Sequence, residues 1–177
     1  YQGETNAEEI ERVIEYRSLM QLMIEDYRLQ WKQPTMPFYW VQLSSIERPL
    51  WPMFRDEQRK LLADVQNGGM AVCSDIGSKN DVHPTNKKAV GERLARWALH
   101  ETYGKKEIIP SGPLPLKAVY KNGKLIISFR YADGLQTTAK QPLNGFSLDG
   151  KENVPATIDG TNVIIVVKQK PAFLYYG

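Results

Sequence analysis

His83 is one of only two histidines in a chain of 177 residues, and it stands in the polar stretch Cys73-Ser74-Asp75-Ile76-Gly77-Ser78-Lys79-Asn80-Asp81-Val82-His83-Pro84. Asp81 lies two residues earlier, near enough for its carboxylate to accept from one imidazole nitrogen and leave the other free as a general base. Asp75 is a second candidate for that task. A base with an orienting carboxylate is half of a nucleophilic hydrolase site and still needs its nucleophile. The same Asp, Asn and Ser residues also suit a solvated loop that makes turns and caps the next helix.

The elements around this stretch decide where the histidine is carried. Asn67-Gly68-Gly69 announces the apolar run Met70-Ala71-Val72-Cys73, and residues 86–103 then show helical periodicity closed by Gly104. The loop therefore leaves the carboxyl end of a buried strand, the edge where open α/β sheets bind ligands. A strand over Pro37–Leu43 precedes it, aromatic and β-branched. Helices are expected over Ala7–Trp31 and Pro52–Val65, and over Asn86–Tyr103. In the first, Ile10, Val13, Met20, Ile24, Tyr27 and Trp31 form the inward face, and two overlapping capping boxes, Thr5 with Glu8 or Asn6 with Glu9, mark its start. Met20 and Met23 read as core filler. In the third helix Val90, Leu94, Trp97 and Ala98 point inward and Arg93 outward, while His100 suits a place near the helix end.

From residue 105 the composition changes. Pro110-Ser111-Gly112-Pro113-Leu114-Pro115 is a linker that cannot be helical, and no helical periodicity follows it. Asn122-Gly123 between two apolar runs is a strong hairpin signal, and evenly spaced short strands continue to Tyr176, as in a β-sandwich. Two domains are expected, residues 1–108 and 109–177.

Composition narrows the function. Hydrophobic residues make up 42% of the chain, enough for a real core, and no apolar run approaches the roughly 18 residues of a membrane span. Residues 1–104 carry 13 Lys and Arg against 15 Asp and Glu, while residues 105–177 carry 10 against 5. No basic cluster is interleaved with aromatics, so neither nucleic acid nor membrane is expected as a partner. Cys73 is the single cysteine, and its apolar surroundings suit a buried structural thiol. Neither metal nor cofactor is called for.

Three blocks occur in one order: Tyr1-Gln2-Gly3-Glu4-Thr5-Asn6-Ala7, then Leu50-Trp51-Pro52-Met53-Phe54-Arg55-Asp56-Glu57-Gln58, then Asp75-Ile76-Gly77 through Asn80-Asp81-Val82-His83-Pro84-Thr85-Asn86-Lys87. With Val90-Gly91-Glu92-Arg93-Leu94-Ala95, Tyr103-Gly104 and Ser111-Gly112-Pro113, they resemble the sialate O-acetylesterase family, a branch of the SGNH (GDSL-like) serine hydrolases. The resemblance covers nearly the whole chain.

It implies an α/β fold, the carboxyl-terminal half of a flavodoxin-like three-layer α/β/α hydrolase followed by a β-sandwich. It implies removal of O-acetyl groups from sugars, with acetylated sialate or acetylxylan as substrate, and a periplasmic or secreted location. His83 matches the family base, and Gln2-Gly3-Glu4 the block that helps form the oxyanion hole or positions substrate, with Gln2 the favoured donor and Asn6 behind it. Two departures stand out. The superfamily often places its Asp three residues before the His, where this chain has Asn80, so the triad uses Asp81, leans on Asp75, or is a Ser-His dyad.

The family nucleophile belongs to a Gly-Gln-Ser-Asn type motif upstream of the Gln-Gly-Glu block. Ser44, Ser45, Ser74 and Ser78 lack that setting. The expectation is a chain that is inactive alone and completed by an amino-terminal half bearing the serine. The competing expectation is a non-catalytic carbohydrate-binding or scaffold module, with Tyr131, Phe173 and Tyr175 as its aromatics.

Overall fold

A computed structural model describes residues 3–138 and 141–176. The chain divides into two compact units, Tyr1–Ser111 and Gly112–Gly177. In the first, α1 (Ile10–Gln30), β1 (Phe38–Val41), α2 (Trp51–Asp64), β2 (Gly68–Ala71) and α3 (Lys87–Trp97) follow one another, and a π-helical turn, Ala98–Thr102, ends the last helix. β1 and β2 pair in parallel, from Phe38 opposite Gly68 to Val41 opposite Ala71. Strand alternation sends Trp40 and Met70 to one face, where they pack with Ile24 of α1 and with Leu61 and Val65 at and just beyond the end of α2. Val41 and Ala71 face the other way, onto Val90 of α3. Helices thus cover both faces of the strand pair.

A second cluster lies at the carboxyl end of these strands and does most to position the site. Ala7, Val13, Tyr16, Leu43, Trp51 and Phe54 are buried together, with Ile46 and Val82 packed against them. Tyr16 and Phe54 meet with ring centroids 4.4 Å apart. Gln58, fully buried, anchors the strand exit by accepting from the Leu43 backbone N–H at 2.8 Å.

Two expectations need correction here. The first helix begins at Ile10 rather than Ala7, because residues 6–8 form a separate 3-10 turn and Glu9 is extended (φ −131°, ψ 137°). Neither Thr5 nor Glu9 caps with its side chain. Ala7 is buried in the aromatic cluster while Val13 enters it from the helix, and seating both takes a break in the chain; tertiary packing overrides the capping signal. The inward face of α1 also differs. Val13, Tyr16 and Ile24 are buried, whereas Ile10, Met23, Tyr27 and Trp31 are exposed. The third helix, counted with its π-helical end, runs from Lys87 to Thr102, within one residue of the expected span at either end.

The second unit is antiparallel. β3 (Leu114–Lys121), β4 (Lys124–Arg130), β7 (Asn162–Val166) and β6 (Thr157–Asp159) form one sheet in that spatial order, and β5 (Phe146–Ser147) pairs with β8 (Tyr175–Tyr176). The β3–β4 turn is Asn122-Gly123 with φ of +50° and +72°, the doubly left-handed turn that matches strand twist. Leu125, Ile127, Val163, Ile165 and Val167 pack with Phe146 as its core.

Removing the ring at the centre of the aromatic cluster should be costly. Phe54→Ala is expected to destabilise the protein by about 3–5 kcal/mol in urea or thermal unfolding, the range for a fully buried aromatic. A loss below about 1 kcal/mol would show that the cluster does not hold this end of the fold together.

Candidate functional site

Two loops leave the strand pair at its carboxyl end, residues 42–50 after β1 and residues 72–86 after β2. They are tied to each other. Ser45 Oγ donates to Ser74 O at 2.6 Å, Glu47 N donates to Lys79 O at 3.2 Å, and the Lys79 and Glu47 side chains pair at 2.9 Å. A third segment, residues 3–8, joins through Arg48, whose guanidinium lies 3.5 Å from Glu8 and 5.4 Å from the centre of the Trp51 ring. Trp51 Nε1 donates to Ser44 O at 2.6 Å and fixes the ring beneath them.

Gly3 is held where only glycine fits. Its φ is +125°, and a Cβ there would run into the Phe54 ring. Its carbonyl accepts from Ala7 N at 2.9 Å, which starts the 3-10 turn containing Asn6. Because Ala7 and Val82 both pack on the Trp51–Phe54 cluster, the segment carrying Gly3 and Asn6 and the loop carrying His83 share one apolar support. Gln2 lies outside the described residues.

His83 projects into solvent. Its side chain is 83% exposed, and Nδ1 lies 3.3 Å from Asp81 Oδ1, while the Asp81 side chain is 58% exposed. The same Asp81 oxygen accepts the His83 backbone N–H at 2.8 Å. Asp81 therefore makes a local turn, and in doing so is brought against the imidazole. Among the described residues the other ring nitrogen, Nε2, meets no carboxylate and carries no hydrogen bond. Buried Pro84 follows and pins the loop before Asn86, whose side chain caps α3 by accepting from Ala89 N at 3.1 Å.

Asp75 is engaged elsewhere. It takes a bidentate pair from Arg93, both contacts 2.6 Å, and Arg93 also donates to Val72 O at 2.6 Å. The guanidinium holds the Asp75 carboxyl below its ordinary range, chiefly by direct hydrogen bonding. Arg93, read from sequence as an outward side chain, is a clamp between α3 and the β2 exit. No spacing rule singles it out, since its partner stands 18 positions away. His100 is likewise structural, its Nδ1 2.7 Å from Ile108 O. Of the loop serines, Ser45 is committed to Ser74 O and Ser44 is fully buried, and no described serine hydroxyl bonds the His83 ring. Among the described residues no three His, Cys, Asp or Glu side chains gather as a metal site.

A family model described as "Carbohydrate esterase, sialic acid-specific acetylesterase" matches residues 1–100, more than half of the chain. The chain belongs to this family. A solved carbohydrate acetylesterase from Xanthomonas citri is similar over 99% of the chain, with 34% identity and a TM-score of 0.89. The chain spans 43% of the length of that protein. Comparison with curated proteins gives no match. Within the family match fall all three of the blocks that share the aromatic cluster, residues 3–8, the β1 exit and the β2 exit.

The Asp75–Arg93 pair yields a prediction with a definite sign. A carboxyl held below its ordinary value contributes stability that is present above the unfolded-state pKa of about 3.9 and is lost as pH falls through the folded one. Asp75→Asn is therefore expected to lower the thermal midpoint at pH 7, with the difference from the parent protein shrinking as pH falls below about 3.9. Asp75 is 60% exposed, so solvent screening limits the loss at neutral pH to about 1 kcal/mol or less. A difference that grows as pH falls would contradict the assignment.

Proposed function

We propose that this chain is the carboxyl-terminal portion of a carbohydrate O-acetylesterase with the flavodoxin-like SGNH fold, followed by a β-sandwich, and that His83 is its general base. The observation that carries this reading is the His83–Asp81 pair: an exposed imidazole at the carboxyl edge of the sheet, with a carboxylate at Nδ1 and an Nε2 unengaged among the described residues. Asp81 is assigned to orient the ring through Nδ1, leaving Nε2 for the proton transfer. The serine comes from a segment upstream of Tyr1.

In the proposed reaction the serine oxygen attacks the acetyl carbonyl while His83 Nε2 takes its proton. Negative charge then develops on the carbonyl oxygen. Gln2, Gly3 and Asn6 are assigned to that oxygen or to substrate positioning, since amide N–H groups meet an oxyanion without giving up a proton. Collapse breaks the ester C–O bond, and the sugar oxygen leaves with the proton returned by His83. Water, activated by the same imidazole, releases acetate and restores the serine. The family match and the 34% identity to a carbohydrate acetylesterase support an acetylated sugar as substrate. Residues 1–108 and 109–177 are assigned as hydrolase portion and β-domain.

A second reading is favoured by one observation. Phe173, Tyr175 and Tyr176 are exposed in the β-unit, with Phe173 and Tyr175 ring centroids 6.3 Å apart. Exposed aromatic faces suit stacking on sugar rings, so a glycan-binding scaffold without catalysis is the alternative.

Kinetics separate the two. In the longer protein, His83→Ala is expected to reduce kcat/KM on 4-nitrophenyl acetate by about 10²–10⁴-fold, the usual contribution of a general base. The 177-residue chain alone is expected to show no turnover. Full activity in His83→Ala, or binding of acetylated glycan with no hydrolysis by the longer protein, would overturn the esterase reading.

A further inference from the structure

The outer face of the four-stranded sheet in the second unit gathers charge that the sequence spreads out. Leu125, Ile127, Val163 and Ile165 turn to the core, so strand alternation sends Lys124 and Ile126 of β4, with Ile164 and Val166 of β7, to the opposite face. The register adds β3 to that face: Lys117 opposite Ser128, Val119 opposite Ile126, and Lys121 opposite Lys124. Val119 is 44% exposed and Val166 78%. Lys117, Lys121 and Lys124 are exposed as well.

Two ordinary explanations do not cover this face. An antiparallel sheet that meets water on one side is polar there, yet a row of Val119, Ile126 and Ile164 crosses its middle and Val166 stands opposite Lys124. Lysine on an edge strand blocks pairing with another chain, which accounts for Lys117 and Lys121 on β3. Lys124 lies on β4, between β3 and β7. Like charges directly opposite one another destabilise a sheet, and Lys121 and Lys124 are so placed. An anion bound between them relieves that repulsion.

No carboxylate of this chain does so among the described residues. In the first unit Lys60, Lys79, Lys88 and Lys106 each have an acidic partner, whereas Lys117, Lys121 and Lys124 have none among the described residues. Asp159, on the same face, belongs to β6 at the other edge of the sheet.

We infer that this face is a docking surface for a polysaccharide that carries carboxylates along its length. The carboxylates meet Lys117, Lys121 and Lys124, and the C–H faces of the sugar rings lie on Val119 and Val166. The choice of a sugar chain rests on the carbohydrate-esterase reading above; the cationic surface does not depend on it. None of the residues facing outward from these strands is aromatic. That disfavours single-stranded nucleic acid, whose bases stack on aromatic rings, and a membrane surface, which takes Trp or Phe. Exposed ion pairs are individually weak, so the contact works through several lysines at once and is screened by salt. Docking there keeps an esterase beside acetyl groups on the same polymer and raises their effective concentration.

The test reads binding of polygalacturonate to the longer protein by titration calorimetry, where no acetyl ester is present and catalysis plays no part. Polygalacturonate is expected to bind and neutral dextran not to, with affinity falling by about tenfold or more between about 0.05 and 0.5 M NaCl. Replacing both Lys121→Gln and Lys124→Gln is expected to weaken binding by about tenfold. The thermal midpoint of that variant stays at the parental value or rises, because a like-charge pair is removed. Lys151→Gln, at an exposed lysine in the Asp149 turn, is expected to leave binding unchanged. Absent binding, equal binding of dextran, parental affinity in the double variant, or an equal loss in Lys151→Gln would each overturn the surface. Tighter binding of oligo(dT) or of phosphatidylserine vesicles would overturn the sugar assignment. Failure of the esterase reading looks different, as hydrolysis that survives His83→Ala while the polygalacturonate titration is untouched.

Discussion

The packing of Phe54 and Trp51 is the constraint on which the first unit depends. These two rings, from the start of α2, are the common floor for segments that leave three different elements. Gly3 passes so close over Phe54 that no side chain fits, Ala7 fills the gap beside it, and Val82 closes the cluster from the loop after β2. A buried aromatic contributes several kcal/mol through the area it removes from water. None of the polar ties above the cluster matches that. The Lys79–Glu47 and Arg48–Glu8 pairs are exposed and fix geometry more than they stabilise. Stability comes from the floor, and orientation from the hydrogen bonds above it.

That division explains how a histidine can be both exposed and well placed. His83 itself contributes almost nothing to the core, which leaves its ring free to meet a ligand. Its neighbours on either side are anchored, Val82 in the cluster and Pro84 in the fold. Asp81 then needs only local geometry to reach the ring, because the turn that brings its carboxylate to the His83 backbone also brings it to Nδ1. The Arg93–Asp75 clamp works at the other end of the same loop, holding the strand exit against α3.

Features written in short spacings were legible in the sequence. The Asp81–His83 pair and the Asn122-Gly123 hairpin each involve residues within two positions of one another, and local chemistry determines them. The α2 boundaries were also legible, since Pro52 and the Phe54–Leu61 spacing agree with the packing. What the sequence did not reveal depends on partners brought together by the fold. Thr5, Glu8, Asn6 and Glu9 offered a helix start that burial of Ala7 displaced to Ile10. α1 carries apolar residues nearly all round, including exposed Ile14, Leu19, Leu22 and Leu29, so periodicity could not separate its inner face from its outer one. Arg93 and Arg55 are alike as polar helix residues in the sequence, yet one is a clamp and the other is half-buried, with an Nε that finds no acceptor among the described residues.

The central claim is that His83 activates a serine lying upstream of this chain. Labelling the longer protein with a fluorophosphonate and locating the adduct by mass spectrometry tests it most directly. A single modified serine upstream of Tyr1 is expected, with a labelling rate that falls by about 10²-fold or more in His83→Ala. An adduct on Ser44, Ser45, Ser74 or Ser78, or a rate indifferent to His83, would contradict it.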